Sequence, residues 1–303
     1  MDGYKKLISS QKMRMAILKT LSFVPDKIMI QLQYRIKLGR KLALKNPKRY
    51  TEKIQWYKLH YRNPIMIQCV DKYAVRDYIK KKGYQSTLTK LYGVYDAPDA
   101  IDFGQLPDKY IIKTTNGSGT NIICRNNNEI DVTAIRKKLQ DYMNRPHISA
   151  GREWAYYGVK NRIVVEELLE DKSQPGKEIV DYKFLCFSGR VFCVVVDIDR
   201  FTNHKRNFYS TNWKRLSVSS DHENFEPDIN KPENLSEMVE IAEVLSEDFP
   251  AVRVDLYNVN GKVYFGELTF YPWSGYVQFE PDDFDFMIGE KFVLPDINVG
   301  KGL

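Results

Sequence analysis

The sequence has few residues of the kinds that bind transition metals or cross-link a chain. It contains four cysteines and four histidines in 303 residues. The cysteines are scattered without a CxxC pair, and the histidines show no HExxH or comparable spacing. This pattern is typical of reduced, buried thiols in a cytoplasmic protein, and it argues against a disulfide framework or a zinc enzyme.

Long hydrophobic runs are also missing. No apolar stretch approaches the ~20 residues that a membrane-spanning helix needs. The stretch MAILKTLSFVP near the start is interrupted by Lys19 and lacks a small-residue cleavage site, so we do not expect a signal peptide. We therefore expect a cytoplasmic protein, and contact with the inner face of the membrane stays open because of the next feature.

What the sequence has in excess is positive charge. The net charge is +7, which favours an anionic partner. Residues 1–49 are rich in lysine and arginine and nearly free of acids, and Met13, Ile17, Leu21 and Val24 keep a helical spacing. Two interpretations of this basic extension remain open. It is a helix packed on the body with a solvated basic face, or a helix that rests on an anionic membrane surface.

The remaining chain mixes helices with hairpins. Helical periodicity dominates from about residue 53 to residue 82, at 132–143 and in PENLSEMVEIAEVLSEDFP. Short β-branched runs joined by turns lie between these segments. This order predicts the α+β class with antiparallel sheets.

A glycine-containing loop separates two of the predicted strands. Asn116–Gly119 lacks the GK[ST] of a P-loop and precedes a strand, yet its N–H groups and the Ser118 hydroxyl could cover phosphates. Lys113, just upstream, could contact a phosphate as a point charge. A plain hairpin turn with a surface lysine is the alternative. Two interpretations of the run VVEELL also remain open: it is an edge strand, or it is a hinge that contacts a purine.

The hairpin RVDLYNVNGKVYFGELTFYP carries charges where apolar residues are expected. Arg253 and Asp255 share one face of their strand, and Glu267 and Thr269 share a face of the next. A two-residue Asn-Gly turn would set Asp255 opposite Gly266, whereas a three-residue loop would set it opposite Glu267. Facing carboxylates need a cation between them, and Mg²⁺ with oxygen ligands and phosphates is the natural candidate.

These phrases together resemble the ATP-grasp superfamily, and in their wording its TupA-like branch, which occurs in bacterial surface-polysaccharide and teichuronopeptide gene sets. The phrases are YTEKIQWYKL, DKYAVRDYI, KTTNGSG, GREWAYYGVKNRIVVEELL, DYKFLCFSG, DRFTNHKRNFY and FPAVRVDLYNVNGKVYFGELTFYPWSG. The resemblance implies an ATP-grasp fold, in which two α+β lobes with antiparallel sheets clamp ATP. We divide the chain into a basic helical extension, an N-terminal part, a lid lobe and a C-terminal lobe that binds ATP and metal: 1–49, 50–109, 110–163 and 164–303.

The resemblance also implies roles for individual residues. Asp255 and Glu267 would hold Mg²⁺, and Arg253 would act with Lys113 on the transferring phosphoryl group or the acyl phosphate. The implied ATP-binding residues are Lys72, Lys113, Gly117, Ser118, Gly119, Glu166, Glu167, Leu169, Lys183 and Arg200. One position departs from the family, because Thr269 stands where an asparagine usually completes the metal ligands.

The implied reaction is an ATP- and Mg²⁺-dependent ligation of a carboxylate to an amine through an acyl phosphate. The partners would be an acidic sugar, such as a uronic acid of a capsule or other surface polysaccharide, and an amine or amino acid. His204, Lys205 and Arg206 could face that acidic substrate, although a solvated basic loop is the alternative. The competing functions are a kinase, a glycosyltransferase, and a non-catalytic basic protein that binds membranes or nucleic acid. A nucleic-acid partner is not expected, since no RNP-type stacking platform accompanies the basic residues.

Overall fold

The computed structural model describes residues 20–115, 119–145, 150–172, 176, 178–200 and 202–296. Within these ranges helices alternate with two antiparallel sheets, as the α+β prediction requires. The helices are α1 Asp26–Leu38, α2 Tyr50–His60, α3 Ile65–Val70, α4 Val75–Lys81, α5 Val132–Met143, α6 Leu235–Ser246 and α7 Asp283–Lys291. No helix within the described ranges is long and apolar enough to cross a membrane.

The first sheet is small and covered on one side by a helix. Its strands follow the order β1-β4-β2-β3. They are β1 Leu91–Tyr95, β2 Tyr110–Thr114, β3 Ile122–Cys124 and β4 Ile163–Glu167. Tyr110 and Ile112 of β2 pack with Leu139 and Tyr142 of α5 in one apolar cluster. Since side chains alternate along a strand, Ile111 and Lys113 lie on the opposite face of this sheet.

The second sheet is larger and follows the order β7-β6-β5-β8-β9. Its strands are β5 Asp181–Phe187, β6 Arg190–Ile198, β7 Lys205–Tyr209, β8 Val252–Val259 and β9 Lys262–Thr269. One face packs against α6, whose buried residues include Met238 and Ile241. On the other face Lys183 of β5 lies directly opposite Asp255 of β8. This face therefore presents charged side chains where the α6 face presents apolar ones.

The boundaries of the lobes stay predictions. Strand β4, Ile163–Glu167, pairs with β1 and β2 of the first sheet. The boundary that the sequence suggested between residues 163 and 164 therefore falls at the first residue of a strand of the first sheet.

In the β8–β9 hairpin Asp255 lies opposite Glu267, and the turn alone does not produce this pairing. Val259 pairs with Lys262, so the turn has two residues, and both have positive φ (52° for Asn260 and 75° for Gly261). This is the two-residue turn that a twisted hairpin favours. The register then shifts, since Asp255 pairs with Glu267 while the next residue, Leu256, pairs with Phe265. The residue left over is Gly266, which forms a β-bulge.

We expect Gly266→Ala to destabilise the protein by about 1–3 kcal/mol, because an added Cβ would overpack the bulge. That Cβ would lie 2.9 Å from the Asp255 carbonyl oxygen, a backbone atom that cannot turn aside. Urea unfolding measures the change. Gly104→Ala is the control, since its Cβ would meet only the Asp102 carboxylate, at 3.3 Å. Equal losses in the two variants would contradict the constraint at Gly266.

Candidate active site

Arg253 lies between the two carboxylates of the hairpin. Its Nε and Nη2 donate to the two oxygens of Asp255, each at 2.6 Å. Nη2 also donates to Glu267 Oε1 and to Thr269 Oγ1, each at 3.1 Å. The cation that two facing carboxylates require is therefore supplied here by the chain itself.

Both members of the closest pair are buried, with 8% of Arg253 and 2% of Asp255 exposed. Burial acts against the charge of Arg253, but the neighbouring Asp255 carboxylate raises the pKa of the guanidinium, which stays charged. Burial raises the pKa of Asp255 to about 7, and Arg253 and Lys183 act in the opposite direction. The ionised state of this carboxylate at neutral pH therefore depends on the cations beside it.

A second group of charges continues along the same face of the sheet. Lys183 Nζ lies 3.0 Å from Asp197 Oδ2 and 4.0 Å from Asp255 Oδ2, and it also contacts Asp181. Arg200 contacts Asp181 from the end of β6. The two residues that the sequence suggested as further phosphate contacts, Lys183 and Arg200, are thus brought together on Asp181.

The structure of Arg206 does not agree with the interpretation of residues 204–206 as a solvated basic loop. Residues 205–209 form the strand β7, and Arg206 is only 5% exposed. Its Nε donates to Asp197 Oδ1 at 2.6 Å, and its Nη1 contacts Asp221. Burial acts to raise the pKa of Asp197, but Arg206 and Lys183 hold that pKa well below its usual range. For Arg206 the alternative was wrong, because this residue is buried and pairs with the buried Asp197 and with Asp221.

The other two residues of this segment are half-buried. The rings of His204 and His222 lie against each other, tilted by 33° with centroids 3.6 Å apart, and His204 Nε2 lies 3.2 Å from Asp197 Oδ1. Lys205 begins β7, where it pairs with Ile198. The contact of His204, Lys205 and Arg206 with an acidic substrate stays a prediction.

Lys113 of the first sheet is paired with a carboxylate of β4. Its Nζ lies 3.0 Å from Glu166 Oε2, and Arg76 Nη1 lies 2.9 Å from Glu166 Oε1. Glu166 is 6% exposed, so both cations reach a buried carboxylate. Glu167, the next residue of β4, instead accepts from the Lys90 N–H at 3.3 Å. Lys113 and Glu166 thus lie together, and Glu167 lies apart from them.

Lys72 lies next to the end of β2 in the first sheet. It lies in the turn between α3 and α4 and not within a helix, and its N–H donates to the Thr115 carbonyl at 3.4 Å. Burial lowers the pKa of Lys72, while Glu267 of the second sheet raises it and Lys113 of the first lowers it again.

The remaining suggested ATP contacts are only partly described. Gly119 has φ +71°, and no atom would lie within 4 Å of an added Cβ. Gly117 and Ser118 lie outside the described residues. Leu169 is half-buried in the segment that follows β4. The closing of a glycine loop over phosphates therefore stays a prediction.

The hairpin offers donors of the kind that Mg²⁺ prefers, namely two carboxylates and the Thr269 hydroxyl. Thr269 Oγ1 donates to Glu267 Oε1 at 3.2 Å, so hydroxyl and carboxylate are already adjacent. Among the described residues no group of three or more His, Cys, Asp or Glu side chains is arranged to hold a metal. Mg²⁺ commonly keeps several waters and phosphate oxygens, so two protein carboxylates suit it.

Three residues of the site were missed from the sequence: Asp181, Asp197 and Arg76. Asp181 and Lys183 alternate on β5 as Arg253 and Asp255 do on β8, and that repeated spacing was the available signal. Asp197 precedes Arg200 at the end of a β-branched run, which reads as an ordinary strand end. Arg76 carries no signal of its own, because its partner Glu166 lies 90 residues away.

The family model for TupA-like ATP-grasp proteins matches residues 52–293. This match covers most of the chain and includes both sheets and the charged hairpin. The chain therefore belongs to the TupA-like ATP-grasp family. A search of curated proteins gave no match.

Solved structures with some similarity include D-alanine–D-alanine ligases. The enzyme from Bacillus anthracis is 15% identical, with 67% of this chain and 57% of that chain covered and a TM-score of 0.40. The Helicobacter pylori enzyme is 14% identical, with 82% and 70% covered and a TM-score of 0.40. Phosphoribosylamine–glycine ligase from Thermotoga maritima is 14% identical, with 68% and 48% covered and a TM-score of 0.40. The chain thus spans little more than half of the B. anthracis enzyme, and similarities of this size say nothing about its reaction.

We expect Arg253→Met to destabilise the protein by about 3–5 kcal/mol, because it leaves the buried carboxylate of Asp255 without its closest cation. Mg²⁺ should then raise the Tm of this variant more than that of the wild type, since the divalent ion takes the place of the guanidinium. Thermal unfolding in MgCl₂, against NaCl of equal ionic strength, measures both effects.

The matched control is Arg253→Met combined with Asp255→Asn, which removes the charge pair together with its cation. This double variant should lose the extra response to Mg²⁺. An equal Mg²⁺ response in the wild type and in both variants would contradict a cation requirement between these carboxylates.

Proposed function

We propose that the protein is an ATP- and Mg²⁺-dependent carboxylate–amine ligase. The observation that carries the proposal is the grouping of Arg253 and Lys183 with the carboxylates of Asp255 and Glu267 on one face of the second sheet. Cations and paired carboxylates of this kind suit a bound nucleoside triphosphate and its metal. Membership in an ATP-grasp family supports the same nucleotide.

Asp255 and Glu267, with Thr269, would hold Mg²⁺. When bound there, the ion would neutralise charge on the transferring phosphoryl group. Arg253, held on the same face by Asp255, would stabilise the phosphoryl group or the acyl phosphate, as a planar guanidinium suits phosphate oxygens. Lys113 and Lys72 would bind ATP phosphates. Lys113 would leave Glu166 to do so, and Glu166 would keep Arg76 as its partner.

The reaction would proceed in two chemical steps. The γ-phosphoryl group passes to a substrate carboxylate oxygen, which releases ADP and forms an acyl phosphate. An amine then attacks the acyl carbon and expels phosphate, which leaves an amide. Positioning and charge neutralisation carry such a transfer, and a closed site protects the acyl phosphate from water.

The substrates that we propose are an acidic sugar of a surface polysaccharide or its precursor, such as a uronic acid, and an amine or amino acid. This part rests on the family resemblance and on the basic character of the chain. A kinase on the same fold is the second candidate, since the same site would equally serve transfer to a hydroxyl. The two differ in products, because a kinase releases ADP without phosphate.

Mg-ATP should stabilise the wild type against heat only through an intact site. At about 100 times its dissociation constant a ligand adds roughly 2.7 kcal/mol, which raises Tm by several degrees. Lys113→Ala and Asp255→Asn should lose this shift, as each removes a contact to the phosphates or the metal. Lys137→Ala should keep it, because Lys137 is an exposed residue of α5, on the helix that covers the opposite face of the first sheet.

Release of ADP and phosphate in the presence of a uronic acid and an amino acid then tests the reaction. Both products in equal amounts, dependent on carboxylate and amine together, are expected for a ligase. ADP without phosphate would favour the kinase. The absence of any nucleotide shift in the wild type would overturn the nucleotide site itself.

A further inference from the structure

The outer face of α1 exposes an apolar stripe. Ile28, Leu32 and Ile36 follow one another at intervals of four residues and are 55%, 50% and 52% exposed. Residues at this spacing lie on one side of a helix. Phe23, in the turn before the helix, is 79% exposed. Exposed apolar side chains in such a row mark a surface that contacts another apolar phase.

The helix that carries this stripe is firmly anchored on its inner face. Ile30 and Tyr34 are fully buried, in a cluster that includes Tyr276. Gln33 donates to the Ala150 carbonyl at 2.9 Å and accepts from the Tyr276 hydroxyl at 2.8 Å. The exposure of the stripe is thus a feature of a packed helix and not of a frayed end.

The charged residues of the segment that carries the stripe are almost all cations. Asp26 is the only acid between residues 20 and 49, and it pairs with Arg152 at 2.9 Å. The same range contains eight cations: Lys27, Arg35, Lys37, Arg40, Lys41, Lys45, Lys48 and Arg49. Those that are exposed are Lys27, Arg35, Lys41, Lys45 and Lys48. An apolar row with cations around it is complementary to an anionic lipid surface.

We propose that α1 docks this protein on an anionic membrane surface, with Ile28, Leu32 and Ile36 in the acyl boundary and the exposed cations at the headgroups. A second copy of the chain fits less well, because a two-fold contact would set these cations against themselves. Three half-exposed side chains also fall short of the roughly 800 Å² per partner that a stable dimer buries. Residues 1–19 fit less well too, since they carry five further cations and one acid.

Nucleic acid shares the negative charge of a lipid surface but offers no apolar phase for the stripe. A phosphate backbone would bind the cations alone, and its affinity would not depend on Ile28, Leu32 or Ile36. Whether binding depends on the aliphatic row therefore distinguishes a lipid surface from nucleic acid as the partner.

The test is sedimentation of the full chain with vesicles of phosphatidylcholine alone and with phosphatidylglycerol added. The wild type should bind the anionic vesicles, and binding should weaken as salt rises. The variant with Ile28→Ser, Leu32→Ser and Ile36→Ser should bind at least about tenfold more weakly, since it loses the buried apolar area. Lys27→Glu with Arg35→Glu should weaken binding by a further large factor, because each lost cation costs roughly fivefold.

The matched control is Ile123→Ser, which removes a 41% exposed aliphatic side chain from β3 of the first sheet. It should bind vesicles as the wild type does. The proposal is overturned if the wild type does not bind anionic vesicles, or if the triple serine variant binds them equally well. Concentration-dependent self-association that the triple variant abolishes, without vesicle binding, would also overturn it in favour of a second copy. Each of these results is independent of the nucleotide site, since none requires ATP.

Discussion

The placing of two carboxylates opposite each other on neighbouring strands is the constraint on which the second sheet depends. Asp255 and Glu267 are a direct cross-strand pair, and like charges at this spacing repel each other. Arg253 resolves the conflict because it lies two residues from Asp255 and shares its face. Lys183 adds a second positive charge from the neighbouring strand β5. Each of these two carboxylates therefore has a cation beside it.

The two faces of the second sheet differ in the kind of side chain that they bury. The face against α6 is apolar and supplies the core, while the other face buries ionised side chains. Buried ion pairs seldom add net stability, because their desolvation offsets their attraction. So many buried ion pairs on one face of a sheet are better explained by a role in binding than by a contribution to stability.

Much of this architecture could be predicted from the sequence, because helical and strand periodicities and the Asn-Gly turn are local signals. The charges of the hairpin were also visible, since Arg253 and Asp255 break an apolar alternation. What could not be predicted depends on distant partners. The burial of Arg206 requires carboxylates on other segments, and the pairing of Glu166 with Arg76 joins residues 90 positions apart. The bulge at Gly266 was hidden as well, because a glycine in a strand has several explanations.

The β-bulge at Gly266 determines on which face of the sheet the side chain of Glu267 lies. Between Asp255 and Glu267 the side chains alternate, and the single extra residue at Gly266 decides whether the second carboxylate turns towards the first or away from it. A chain without Gly266 would keep the same pairing with the two-residue turn and no bulge, because Glu267 would then follow Phe265 directly. A chain that kept Gly266 in a ladder without a bulge would set Gly266 opposite Asp255 and turn Glu267 to the other face of the sheet. The bulge, and not the turn, therefore decides which face of the sheet carries the second carboxylate.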